Sequence, residues 1–140
     1  MATQPLDATP VRRALVVEDN EHAAYLLKFM LERSGFEATV APNGRDAKAA
    51  LENLEPVDVV LLDLMLPYVS GYQLLTEIRG DRNWMHVPVV VVSAKVLEAD
   101  VIRALDMGAN DFVTKPFRPH ELLARIRRVI ADGDRSVGRA

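Results

Sequence analysis

Five side chains from four separate segments could do chemistry together: Glu18 and Asp19 in VVEDN, Asp63 in LLDLMLP, Ser93 in VVSAK and Lys115 in VTKPF. Three carboxylates brought close repel, and each raises its neighbours' pKa unless a cation intervenes. The chain has no Cys and these segments have no His, so the donors are all oxygen and suit a hard divalent ion, Mg²⁺ or alternatively Mn²⁺. Mg²⁺ keeps several waters and binds one or two carboxylates together with a substrate phosphate. With the ion and Lys115 the charges balance, leaving a near-neutral site for a phosphoryl group, and carboxylates that accept one as aspartyl-phosphate are an established nucleophile class. Singly, each residue has a plainer role. Acids after a strand cap the next helix, serines make turns, strand-end lysines are solvated, and Asp63 could begin a turn toward Pro67.

What would bring the five together is the order of elements. Short β-branched runs at 13–19, 36–41, 57–63, 87–94 and 111–115 alternate with helical patterns at 21–35, 45–55, 71–80, 98–108 and 119–132. In the first helix Ala23, Leu27, Met30 and Leu31 share one face. The run at 57–63 is nearly all apolar, as a parallel strand covered on both faces must be. Strict alternation predicts an α/β, doubly wound fold: a five-stranded parallel sheet with right-handed crossovers and helices on both faces. Ligands in such sheets bind beyond the carboxyl ends of the strands, where all five residues fall. Asp63 ends the central third strand, between the acids and the lysine, and is the natural nucleophile.

These motifs, in this order and spacing, resemble the response-regulator receiver domain of two-component signalling, over about residues 13–132. The resemblance implies a flavodoxin-like (βα)5 fold with strand order 2-1-3-4-5. It implies that Asp63 takes a phosphoryl group from a phosphohistidine on a histidine kinase or histidine phosphotransfer protein, and that the protein catalyses only its own phosphorylation and dephosphorylation. It further implies Asp19, Asp63 and the Met65 carbonyl as metal ligands, Glu18 as a ligand or a water-mediated neighbour, Ser93 and Lys115 as phosphoryl-binding groups, and a cis bond before Pro116. Gly71 matches the family's glycine after the proline loop. Phe112 occupies the switch-aromatic position, though an aromatic in an apolar strand serves equally as core. A switch of this kind would reach a downstream protein target through the fourth helix, fifth strand and fifth helix. Glu18 stands where aspartate is frequent and Ser93 where threonine is. Met65 and Lys95, flanking the site, are expected to set the phosphoryl lifetime. A phosphohydrolase with an aspartyl-phosphate intermediate is the enzyme alternative, but Met65 stands where its second acid would be.

Composition limits the rest. The chain of 140 residues is 49% hydrophobic and 26% charged, enough for one complete core. One domain is expected over 13–132, with flexible tails at 1–12 and 133–140. The apolar runs are too short to span a membrane, and the absence of cysteine suits a cytoplasmic setting. With a net charge of −3, and too little sequence after the fifth helix for a helix-turn-helix reader, no direct DNA binding is expected. Arg103, Arg125, Arg127 and Arg128 could form a basic surface, better suited to an acidic protein.

Overall fold

The computed structural model describes residues 11–136. Strand and helix alternate throughout: β1 (Arg12–Val17), α1 (Glu21–Arg33), β2 (Phe36–Ala41), α2 (Gly44–Asn53), β3 (Val59–Leu62), α3 (Gly71–Gly80), β4 (Val89–Ser93), α4 (Glu98–Asp106), β5 (Asp111–Thr114) and α5 (Pro119–Ser136). All strand pairs are parallel, in the order β2-β1-β3-β4-β5. The flavodoxin-like α/β prediction is met.

Each strand's sequence reflects its place. β3 and β4 are buried at every position because helices cover both faces. β2 lies on an edge, buried at Phe36 and Ala41 but exposed at Glu37 and Thr39. Two cores result. Ala14, Val16, Leu61 and Val90 pack against Leu27 and Leu31 of α1 and Leu122 and Ile126 of α5. Leu15, Val60, Leu62 and Val91 pack against Ala47 of α2, Leu74, Leu75 and Ile78 of α3 and Ala104 of α4. Each fully buried Leu, Ile or Val contributes roughly 1.5–3 kcal/mol.

Away from the strands' carboxyl ends, the Arg79 guanidinium on α3 donates to Gly108 O (Nη2, 2.7 Å), Val87 O (Nη1, 2.7 Å), Met85 O (Nη1, 3.1 Å) and Asn110 Oδ1 (Nη2, 2.8 Å). Asn110 Oδ1 also accepts from Val89 N at 2.8 Å. This web ties the end of α3 to the starts of β4 and β5.

Differences from the sequence reading are local. On α1 the buried position is Ala24 rather than Ala23, which is half-buried. β1 begins at Arg12, where pairing with Phe36 extends the ladder. α5 continues past 132 to Ser136, because Val129 and Ile130 anchor its last turns in the core and Gly133 sits where a side chain would press on Pro88. The remainder of the expected tails, 1–10 and 137–140, lies outside the described residues.

Candidate phosphoryl-acceptor and metal site

The end of β1 positions the acidic pair. Glu18 N–H donates to Ala41 O at 3.1 Å, continuing the β1–β2 ladder by one residue, so its side chain turns into the sheet edge and is 2% exposed. Asp19 is exposed. Neither acid caps α1. Asn20 does, its Oδ1 accepting from Ala23 N at 2.8 Å, while its own N–H donates to Glu18 Oε2 at 3.1 Å. Asn20 thus frees both carboxylates from helix duty.

Asp63 N–H donates to Val17 O at 3.0 Å, which holds the residue at the end of β3. Its carboxylate is 6% exposed, and Oδ1 accepts from Met65 N at 3.1 Å, so Asp63 opens a turn as well as presenting an acid. The chain must then fold back tightly. A Cβ on Gly71 would lie 2.4 Å from Asp63 O and 2.6 Å from Leu64 Cα, so only glycine lets α3 start there.

Ser93 is fully buried, and its Oγ accepts from Lys95 N at 3.2 Å. Lys115 N–H donates to Ser93 O at 3.0 Å, which aligns the ends of β4 and β5. The Lys115 side chain is far from solvated: Nζ lies 2.6 Å from Glu18 Oε1 and 3.1 Å from Asp63 Oδ2. The Lys115–Pro116 peptide is cis. Phe112 is half-buried against the α2–α3–α4 core, and the Met65 side chain is exposed beside the site.

One oxygen each from Glu18, Asp19 and Asp63 lie within 4.8 Å of one another, close enough to share a metal ion. Glu18 Oε1 is buried, with the Lys115 ammonium 2.6 Å away as its partner. One ammonium among three clustered carboxylates leaves negative charge that a divalent ion would offset. Electrostatics agree. Burial, aided by the negative charge of Asp63, holds the Glu18 carboxyl above its ordinary value despite Lys115. Burial also works against the Lys115 ammonium, but Glu18 and Asp63 outweigh it and raise the pKa.

Sequence reasoning missed a polar cluster next to Ser93. Asp100 Oδ1 accepts from Tyr72 Oη at 2.9 Å and lies 3.6 Å from Lys95 Nζ, while the Arg103 guanidinium sits 3.9 Å from the Tyr72 ring centroid. The only sequence signal was an acid in the first turn of a helix following a lysine. The expected basic surface is largely consumed: Arg125 pairs with Asp111 and with Glu121, each at 3.1 Å, Arg128 lies 3.9 Å from Asp111, and Arg103 is engaged with Tyr72.

Comparison with known proteins gives the same outline. The model of the response regulator receiver domain matches residues 14–127. The sensory transduction protein RegX3 of Mycolicibacterium smegmatis is 45% identical over 119 residues, 85% of this chain and 50% of that protein. The DNA-binding response regulator MtrA of the same species is 42% identical over 116 residues, 83% of this chain and 49% of that protein. The chain spans about half the length of these relatives. Among solved structures, the receiver domain of the sensor histidine kinase PA1611 of Pseudomonas aeruginosa, with magnesium coordinated in its active site cleft, is 32% identical with a TM-score of 0.79 and covers 87% of this chain and 99% of that one. The expectation of no direct DNA binding is corrected by these relatives, since MtrA is a DNA-binding regulator. That expectation rested on mild net charge and on how little sequence follows the fifth helix, and neither ground reports what a receiver is joined to. Among the described residues no helix is long and apolar enough to cross a membrane.

Proposed function

Because the chain belongs to the response regulator receiver domain family, we propose that it takes a phosphoryl group from a phosphohistidine donor onto Asp63 in a Mg²⁺-dependent reaction and switches a surface in consequence. One observation carries this reading: the Asp63 carboxylate is buried within reach of Lys115 and shares an oxygen cluster with Glu18 and Asp19. The three carboxylates and the Met65 carbonyl would hold the ion, which when bound supplies positive charge to the phosphoryl oxygens. An Asp63 oxygen attacks phosphorus while the P–N bond breaks, and its electron pair leaves with the imidazole. Lys115 offsets the charge delivered. Ser93, accepting from Lys95 N, keeps its own O–H proton to donate to a phosphoryl oxygen. The chain acts on itself only, and we read its setting as cytoplasmic, consistent with a sequence lacking cysteine.

The test is incubation with phosphoramidate, a small P–N donor, with Mg²⁺ or with EDTA. Borohydride trapping and mass spectrometry should locate a Mg²⁺-dependent acyl phosphate at residue 63. Modification elsewhere, or none with metal present, would reject the reading.

A further inference from the structure

We propose that Arg45 is a positioning residue for the metal site, acting through Tyr68; the inference rests on the metal reading above. The loop between β3 and α3 carries two of the groups that would hold the ion, the Asp63 carboxylate and the Met65 carbonyl. That loop contains the one non-glycine residue with positive φ among the described residues, Tyr68 at φ 71°. An aromatic side chain in left-handed backbone is unfavourable and persists only where its surroundings hold it. Here Pro67 O accepts from Val69 N at 2.9 Å, closing a three-residue turn around Tyr68, and accepts again from Gly44 N, the first residue of α2, at 3.4 Å.

Two further contacts clamp the turn onto α2. A Cβ on Gly44 would lie 2.4 Å from Val69 Cβ and 2.8 Å from Val69 O, so backbone and loop meet with no room between them. The Arg45 guanidinium carbon lies 4.0 Å from the Tyr68 ring centroid, well within cation–π range, although Tyr68 is 68% exposed and gains little from burial. The Arg45 backbone is held in α2, which is capped by Asn43, whose Oδ1 accepts from Asp46 N at 2.9 Å, and which is joined to α3 by Lys48–Glu77 at 3.3 Å. Stacking on Arg45 therefore holds Tyr68 in its unfavourable conformation, and the turn in turn fixes the path from Asp63 through Met65. Without it the loop relaxes and the oxygens must be ordered when the ion binds.

The test is Mg²⁺ titration by calorimetry on wild type, R45A, Y68A, the double variant and R45K, with phosphoramidate labelling measured at limiting and at excess Mg²⁺. Each single alanine variant should weaken Mg²⁺ binding by about two- to fivefold, the range of an exposed cation–π contact. The double variant should be no weaker than either single one, R45K should fall between, and excess metal should restore labelling in R45A. Wild-type affinity in R45A, or independent losses that multiply in the double variant, would overturn the positioning role. A wild type that binds no Mg²⁺ would overturn the metal reading itself.

Discussion

The ammonium of Lys115 lies 2.6 Å from Glu18 Oε1, closer than the 3.1 Å it keeps from Asp63 Oδ2. The cation is thus shared, and lies nearer the residue that is not the proposed acceptor. An ion bound to Glu18 would release Lys115 toward Asp63 and an arriving phosphoryl group. Replacing Lys115 by Met should destabilise the metal-free protein by roughly 1–3 kcal/mol, less than a fully buried pair because Lys115 keeps some exposure. Mg²⁺ should reduce that loss, as urea unfolding with metal or EDTA will measure.

Asp63→Asn should abolish acid-labile labelling from a small phosphodonor while raising metal-free stability, because a buried repulsion with Glu18 disappears. Labelling at the wild-type rate, or phosphate recovered on Ser93, would contradict the acceptor assignment.

Mg²⁺ should stabilise the fold by about 2.7 kcal/mol at a hundredfold excess over its dissociation constant, since metal binds the assembled cluster and not the unfolded chain. Thermal melts with and without metal read this directly. In Asp19→Ala the increment should vanish, as Asp19 is the exposed acid and its loss leaves the packing untouched.

Glu18 predicts a pH dependence. Burial and then Asp63 hold its folded pKa above the ordinary 4.5. The folded state therefore binds this proton more tightly than the unfolded chain does. The associated stability is complete below 4.5 and is lost as pH rises through the higher folded value. Mg²⁺ favours the carboxylate and should flatten that decline, releasing a proton on binding. Urea unfolding across mild acid, with and without Mg²⁺, measures the slope, and E18Q should remove the metal-free decline.

Phosphorylation, or beryllofluoride in its place, should draw Ser93 and Lys115 toward Asp63 and turn the half-buried Phe112 further inward. Moving from 1:99 to 99:1 takes roughly 5.5 kcal/mol, within reach of a few charge-assisted hydrogen bonds. NMR shifts should spread along α4, β5 and α5 and spare α1. Changes restricted to groups touching the ligand, with Phe112 still, would exclude a coupled switch.

The sheet and its acidic edge were legible because continuous apolar runs name buried parallel strands, and parallel strands deliver their ends to one place. Asp63 and Lys115, far apart in the chain, meet for that reason alone. The Arg45–Tyr68 stack was not legible: no periodicity relates the two, and nothing in Tyr68's identity announces a positive φ. Asn20 was hidden behind Asp19, itself a good cap. The basic residues read as a surface until Asp111, the first residue of β5, proved to pair with Arg125 and to lie near Arg128. DNA binding by a relative could not be foreseen from segments that pack a receiver core.

Arg79 gives its hydrogen bonds to carbonyl and amide oxygens alone among those described, at the end of the sheet away from Asp63. Such acceptors carry no titratable charge, so this attachment is indifferent to the protons, metal and phosphate that govern the opposite edge. It acts as a rivet through α3 and the roots of β4 and β5. A layer pinned at one end answers a push at the other by tilting, and the displacement grows with distance from the pin. A displacement imposed at the Ser93 end should therefore diminish toward Arg79.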